Sequence, residues 1–405
     1  MWKLVPIVGE IRDKKASILF ELYDKSSIIN YSIDNKYVNH VKNESPTNVM
    51  IEFETWGRHK ISWYVNYRVE YEHTITVSNN INKLIFVSCD LLEADTKKSL
   101  WHKIPSDDRT VIVHLGDQAY MDNVFNKSKT DLTNIYENYS DRYCDTWRPH
   151  AQLLSNTSNF FLWDDHEISN NINLSQVTDD IKVITDAATH AYIKYQQFFH
   201  VHQTYIINQY CWYKYLDETW DTVMLAIERT SEIIPIENVF ESILYLDKIN
   251  PIKRLILCFS SAPIPITNNE LYIKLKGLEK FWNPVDLKIL YEWLFEWMEA
   301  KEVVIVGGDV HFGIHGVVTK KDLKIPVLIS SPITNQPYPD RVLASKGMGI
   351  HPITEQITFT TISSKARRCF ATLDLQSYPM KTDMIYSKHI LPKNIIKYLN
   401  LIRKF

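Results

Sequence analysis

Four short apolar runs in this chain each stop at a cluster of side chains able to bind a metal, and no other feature limits the fold as strongly. The runs at 84–90 (LIFVSCD), 111–118 (VIVHLGDQ), 160–167 (FFLWDDHE) and 303–311 (VVIVGGDVH) reach Cys89-Asp90, Gly116-Asp117-Gln118-Ala119-Tyr120, Asp164-Asp165-His166-Glu167 and Gly308-Asp309-Val310-His311. Runs this short and this apolar read as buried strands. Two further runs, 223–229 and 255–261, have the same character. The segment 286–298 sets Leu287, Leu290, Trp293, Leu294, Trp297 and Met298 at helical spacing directly before a strand. Strands alternating with helices predict an α/β domain with a largely parallel sheet. In such sheets the carboxyl ends of the strands converge on one crevice.

Residues 1–80 have a different pattern. The stretches 16–23, 48–55 and 60–77 are dense in Ile, Val, Tyr, Phe and Trp with partial alternation, which predicts antiparallel strands in a small β-sandwich. A polar break at 79–83 sets the expected boundary, giving an N-terminal domain at 1–80 and a second domain at 81–405. The basic tail, 393–405, is expected to form an amphipathic helix docked on the body.

Composition narrows the function classes. With 405 residues and 45% apolar content the chain can bury a large core, which excludes a disordered protein. The balance of 45 Lys+Arg against 48 Asp+Glu, a formal charge of −3, gives no support to a general nucleic-acid binder. Five cysteines without a CxxC pair read as reduced thiols. The N-terminal residues lack the apolar stretch and cleavage site of a secretion signal. No apolar run approaches the ~20 residues of a membrane span, so a soluble, cytoplasmic protein is expected. A nucleophile elbow, a P-loop, a zinc HExxH helix and GxGxxG are all absent from the sequence.

Asp, His, Cys and Tyr delivered to one crevice suit a pair of metal ions. A carboxylate between two cations offsets their repulsion, and ions roughly 3.5–4 Å apart can hold the attacking and leaving oxygens of an in-line displacement. A thiolate from Cys89 and a phenolate from Tyr120 suit a strongly Lewis-acidic ion such as Fe³⁺. Oxygen donors from Asp117 and Asp165 suit a harder ion, Ca²⁺, Mg²⁺ or Mn²⁺. Taken singly, Cys89 would be a small buried hydrophobe and Asp117 a turn residue. Three acids around one His at 164–167 would repel each other without a cation, although Asp164 or Glu167 can serve as a helix cap or orient the His.

In series, SCD (88–90), GDQAY (116–120), WDDHE (163–167) and GGDVHFG (307–313) resemble the motifs of the PhoD-like metallophosphatases of the calcineurin-like phosphoesterase superfamily. DRYCDTWRP (141–149) and SSPITN (330–335) resemble two further stretches of that family, and residues 1–80 resemble the β-sandwich that precedes its catalytic domain in one branch. The resemblance implies a four-layer αββα catalytic domain at 81–405. It implies that Asp117 bridges two ions, that Cys89 and Tyr120 belong to the Fe³⁺ side, and that Asp165 belongs to a Ca²⁺ side. Mn²⁺, Mg²⁺ and Zn²⁺ are the alternatives. Asp90, Asp309 and His311 complete the implied ligand set. Catalysis would fall to Asp117, His166 and His311, and substrate contacts to Arg229, Gln118 and Asn335. Ile227-Glu228-Arg229 stands where the family tends to carry Asp-x-Arg, so the carboxylate that orients the Arg is displaced.

The expected activity is hydrolysis of phosphate mono- or diesters, of small molecules or head groups, by in-line attack of a metal-activated hydroxide. A non-catalytic metal- or phosphate-binding regulator on the same fold, or a diesterase for nucleotides or lipid head groups, are the alternatives. The sequence does not specify an oligomeric state.

Overall fold

The computed structural model describes residues 1–44, 46–94, 100–106, 109–172, 177–199, 205–208, 211–229, 236–264, 282, 284–337 and 349–388. The expected tail helix at 393–405 lies outside them. The chain opens with seven strands: β1 (Trp2–Arg12), β2 (Lys15–Leu22), β3 (Ile29–Ile33), β4 (Lys36–Val41), β5 (Thr47–Glu52), β6 (Gly57–Val65) and β7 (Arg68–Val77). They pair antiparallel in two sheets, in the orders β1-β2-β5 and β4-β3-β6-β7. Tight hairpins set the register. Asp34-Asn35 and Asn66-Tyr67 both have positive φ at their two central residues, the conformation that short hairpins need and that Asn and Asp tolerate. Along β6 the alternation is read directly: His59, Ile61, Trp63 and Val65 are buried, whereas Arg58 and Lys60 face water. Phe20, Tyr31, Ile61, Trp63 and Ile75 draw the two sheets onto one cluster.

The middle of the chain runs through β8 (Lys83–Val87), β9 (Thr110–His114), α1 (Asp122–Ser128), α2 (Ile135–Trp147), α3 (Ala151–Leu154), β10 (Ser158–Phe161) and α4 (Asp179–Tyr195). It continues with β11 (Tyr205–Asn208), β12 (Cys211–Tyr215), β13 (Thr222–Ile227), α5 (Ile236–Ile249), β14 (Arg254–Phe259), α6 (Pro284–Trp297) and β15 (Glu302–Gly307). Six further strands follow: β16 (Gly313–Lys320), β17 (Leu323–Ile329), β18 (Ile350–Pro352), β19 (Ile357–Lys365), β20 (Cys369–Asp374) and β21 (Lys381–Tyr386). All six strands expected at 84–90, 111–118, 160–167, 223–229, 255–261 and 303–311 are present. The expected helix at 286–298 is α6.

Two mixed sheets carry these elements, one in the order β10-β9-β8-β20-β21 and one in the order β11-β12-β13-β14-β15-β17-β16-β19-β18. Their centres are parallel: β8, β9 and β10 in the first, β13, β14, β15 and β17 in the second. Side-chain alternation explains why these strands are apolar throughout. Leu84, Phe86, Val111 and Val113 pack on Met224, Ile256 and Val304 of the other sheet. Ile85, Val87 and Ile112 turn the opposite way, toward Tyr139, Tyr143 and Trp147 of α2 and Tyr195 of α4. In the second sheet Leu225, Leu257 and Ile305 meet Ile243 and Leu246 of α5 and Leu290 and Leu294 of α6. The chain is therefore a mixed α/β protein.

The first strands do not stand apart from this body. Leu4 and Ile7 of β1 and Leu19 of β2 belong to the same cluster as α2 and α4. Ser158 Oγ donates to Gly9 O at 2.6 Å and Asn159 Nδ2 to Val8 O at 2.8 Å. Glu10 and Lys214, both buried, form an ion pair between β1 and β12. Among the described residues no helix is long and apolar enough to cross a membrane.

Candidate metal centre

The carboxyl ends of β8, β9 and β15, with the segments after β10 and β17, meet at one place. Cys89, Asp117, Asp309 and His311 all have a left-handed backbone there, with φ of 57°, 59°, 65° and 56°. Such φ values are costly for side chains with a Cβ. They turn the chain sharply at each strand end and direct these side chains into a common crevice. Gly116, at φ 92°, precedes Asp117, and a Cβ on it would lie 2.5 Å from the Cβ of Asp164. A Cβ on Gly308 would lie 2.8 Å from the carbonyl oxygens of Leu115 and Ser260. Both glycines are thus required by close approach of neighbouring protein atoms.

Three sets of donor atoms gather within 4.8 Å of one another: Cys89, Asp117 and His311; Asp117, Asp165 and His166; and Asp117, Asp164 and Asp309. Asp117 is common to all three. Its Oδ2 lies 3.4 Å from Cys89 Sγ and accepts from Tyr120 OH at 3.2 Å. Its Oδ1 is buried and without a hydrogen-bond partner among the described residues, as is Asp164 Oδ2. Buried carboxylate oxygens without donors are costly, and a cation is the group that would satisfy them.

Two histidines are held so that one ring nitrogen faces the cluster. His311 Nδ1 lies 3.1 Å from Gln336 O, and a carbonyl can only accept, so Nδ1 bears the proton. Nε2 then carries the lone pair, 3.0 Å from Tyr120 OH and 3.5 Å from Asn335 Nδ2. His166 Nδ1 is paired with Asp122 Oδ2 at 2.7 Å, and its ring packs 4.2 Å from that of Tyr120. A carboxylate behind a histidine fixes its tautomer and raises its basicity. Ser331 Oγ accepts the His311 backbone N–H at 2.9 Å and lies 3.0 Å from Cys89 Sγ.

Glu167 ties the loops together. Oε1 accepts from Gln118 N at 2.7 Å and Gln196 Nε2 at 3.3 Å, and Oε2 accepts from Asp164 N at 2.8 Å and Asp117 N at 3.2 Å. With Asp164 it completes a reciprocal capping box. Arg229 spans the acids from the other side, its Nε 2.5 Å from Asp164 Oδ1 and its Nη2 2.7 Å from Asp165 Oδ1. Its Nη1 lies 3.6 Å from Asp309 Oδ2. Glu228 does not orient this arginine. Its Oε1 accepts instead from Trp212 Nε1 at 3.0 Å, Tyr192 OH at 2.9 Å and Trp163 N at 3.2 Å.

The electrostatics are those of crowded acids. Burial pushes the Asp117 carboxyl well above its usual range; His166 opposes this, and Asp165, Asp309 and Glu167 add to it. Burial raises Asp164 against the opposing charge of Arg229. Burial, then Asp117, raises both the Cys89 thiol and the Tyr120 phenol. For His166 burial works against the charge, but Asp117, Asp122 and Asp165 outweigh it and hold the imidazolium well above its ordinary pKa. A bound cation would reverse this pressure on the acids, thiol and phenol.

Of the residues expected from the sequence, Cys89, Asp117, Tyr120, Asp165, His166, Asp309, His311, Asn335 and Arg229 are brought together here. Two are not. Asp90 Oδ1 accepts from Thr334 Oγ1 at 2.8 Å and Trp101 Nε1 at 3.2 Å, and Asp90 belongs to none of the three donor sets. The Gln118 side chain is fully buried, with Oε1 2.7 Å from His114 Nδ1 and Nε2 donating to Gly116 O at 2.6 Å. Asp122 and Ser331 escaped the sequence reading. Asp122 stands two residues beyond Tyr120 at the first turn of α1, a place where an acid reads as helix chemistry.

No sequence profile of a known family matches the chain, and no curated protein matches it. Among solved structures, that of PhoD is similar, with a TM-score of 0.62 and 13% identity, covering 92% of this chain and 84% of that one. Chitinase ChiW from Paenibacillus sp. str. FPU-7 aligns with a TM-score of 0.16 at 11% identity, covering 75% of this chain and 24% of that one, too low to carry an argument. The chain has a PhoD-like fold.

Proposed function

We propose that the protein is a metal-dependent phosphoesterase with two cations around Asp117, acting on phosphate mono- or diesters of small molecules or head groups. The observation that carries this reading is the carboxylate of Asp117, shared by three donor sets and with one buried oxygen unpartnered among the described residues. The PhoD-like fold supports it, as does the mixture of donors. Cys89, Tyr120 and His311 would hold a strongly Lewis-acidic ion such as Fe³⁺ with Asp117. Asp165, with Asp164 and Asp309 beside it, would hold a harder ion such as Ca²⁺, with Mn²⁺, Mg²⁺ and Zn²⁺ as alternatives. When bound, such ions lower the pKa of water and neutralise charge on oxygens at phosphorus.

The chain's own groups do the rest. His166, oriented by Asp122, delivers a proton to the leaving oxygen. Asn335 Nδ2 and the Arg229 guanidinium offer donors to the phosphoryl oxygens. In this reading residues 1–80 form the β-sandwich and 81–405 a four-layer αββα catalytic domain, the two sharing a core through β1 and β2.

The test is hydrolysis of chromogenic phosphate mono- and diesters by wild type and Asp117→Asn, with Fe³⁺/Ca²⁺ and other divalent ions supplied in turn. Metal-dependent turnover that vanishes in the mutant is expected. An intact, metal-loaded protein without turnover on any ester would favour a binding role.

A further inference from the structure

The acids of the harder half of the centre already have a cation, and it belongs to the chain. Arg229 places its three guanidinium nitrogens 2.5, 2.7 and 3.6 Å from oxygens of Asp164, Asp165 and Asp309. These three side chains come from two different strand ends and are all buried. Arg229 is itself fixed at its backbone, where its N–H donates to Ser260 Oγ at 3.0 Å. Glu228, the adjacent acid, turns its Oε1 to Trp212, Tyr192 and Trp163 instead.

We infer that Arg229 is a resident counter-charge: it occupies the Asp164–Asp165–Asp309 face of the centre in the metal-poor protein and must be displaced for the second cation to bind. This rests on the metal-centre reading above and adds how its second half is regulated. The physical argument is competition for the same oxygens. Guanidinium bonds to carboxylates are among the stronger hydrogen bonds, and leaving several buried acids together without a cation would be strongly unfavourable. Arg229 therefore holds the empty face together, and an incoming ion must replace its bonds and overcome its charge. Because the harder ion has to displace this guanidinium, it is predicted to be the exchangeable one of the two. Once displaced, the guanidinium is free to meet an anionic ester.

The experiment is calorimetric titration of metal-free wild type, Arg229→Gln and Arg229→Lys with Ca²⁺ and, separately, Mn²⁺. Thermal melting of each protein follows, in chelator and at saturating ion. Arg229→Gln is expected to bind its weaker ion about tenfold tighter. It should melt earlier than wild type in chelator and close most of that gap when loaded. Arg229→Lys, with one contact in place of a fork, should fall between, and it carries the test if the glutamine variant does not fold. Unchanged or weaker ion binding, with the same loss of melting temperature with and without ion, would make Arg229 a structural residue and overturn the inference. Absence of ion uptake by all three proteins would overturn the metal-centre reading and this inference with it.

Discussion

His166 and Asp122 face each other at 2.7 Å, Nδ1 to Oδ2, and this contact leaves Nε2 as the nitrogen that faces the acid cluster. Asp122 also accepts from Asn170 N at 2.8 Å, so the same carboxylate fixes the loop that follows His166. Asp122→Asn should keep metal content near wild type and lower turnover about 10–100-fold, the usual effect of removing the partner behind a histidine. Turnover and metal content measured on the same preparation decide it. An unchanged rate would remove His166 from the proton-donating role.

His166→Ala makes the complementary prediction. Metal uptake should persist while turnover falls by about 10²-fold or more. Loss of metal with loss of rate would make His166 a ligand, as its place beside Asp117 and Asp165 also permits.

Glu167→Gln should damage the centre without touching an ion. A glutamine can accept on only one of its two terminal atoms, whereas the glutamate accepts on both, from Asp117, Gln118 and Asp164 backbone N–H groups and from Gln196. Buried N–H groups left without acceptors cost about 1–3 kcal/mol each. A fall in urea midpoint with a parallel loss of ion affinity is expected, read by denaturation in chelator and by titration. A variant as stable as wild type would show that the capping loop relaxes freely.

Stability should also respond to pH through a histidine far from the centre. His73 is buried and its pKa is lowered to about 4 by desolvation. Its Nε2 accepts from Trp63 Nε1 at 3.1 Å, so the neutral ring is the form that fits. In the unfolded chain it titrates near 6.5. Below that pH the unfolded state takes the proton first. This contribution is fully present above about pH 6.5 and is lost as pH falls toward 4, at up to ~1.4 kcal/mol per unit. Urea midpoints in chelator at pH 7 and pH 5 should drop for wild type and drop less for His73→Asn.

The buried pair Glu10–Lys214 offers a test by double mutation. Lys214→Met alone should cost about 3–5 kcal/mol because it strands a buried acid, while Glu10→Met with Lys214→Met should recover most of it. Additive losses in denaturant titrations would show that packing, rather than charge, sets the cost.

The strand ends were the legible part of this molecule, because an apolar run that stops at Gly-Asp or Asp-Asp-His states both a strand and a crevice in one stretch. Direction was not legible. Gln118 follows a left-handed Asp117 and so points to His114, away from the site it adjoins in sequence. Asp90 is claimed by Trp101, eleven residues on, and by Thr334, 244 residues on, contacts that no local pattern announces. Likewise the partners of Arg229 come from 164–165 and from Asp309 rather than from the neighbouring Glu228. Strand β1 lacks a clean alternation because it serves two clusters at once, Val8 on one side and Leu4 and Ile7 on the other. Strand β20 returns to pair with β8 only through long-range contacts.

The left-handed backbone at Cys89, Asp117, Asp309 and His311 sets the molecule's durability against its chemistry. Each of these positions would rest more easily as glycine. Selection of this chain for heat resistance alone, with no demand on turnover, should drift toward those replacements at these four sites. What survived would be a sturdier protein with an inert crevice.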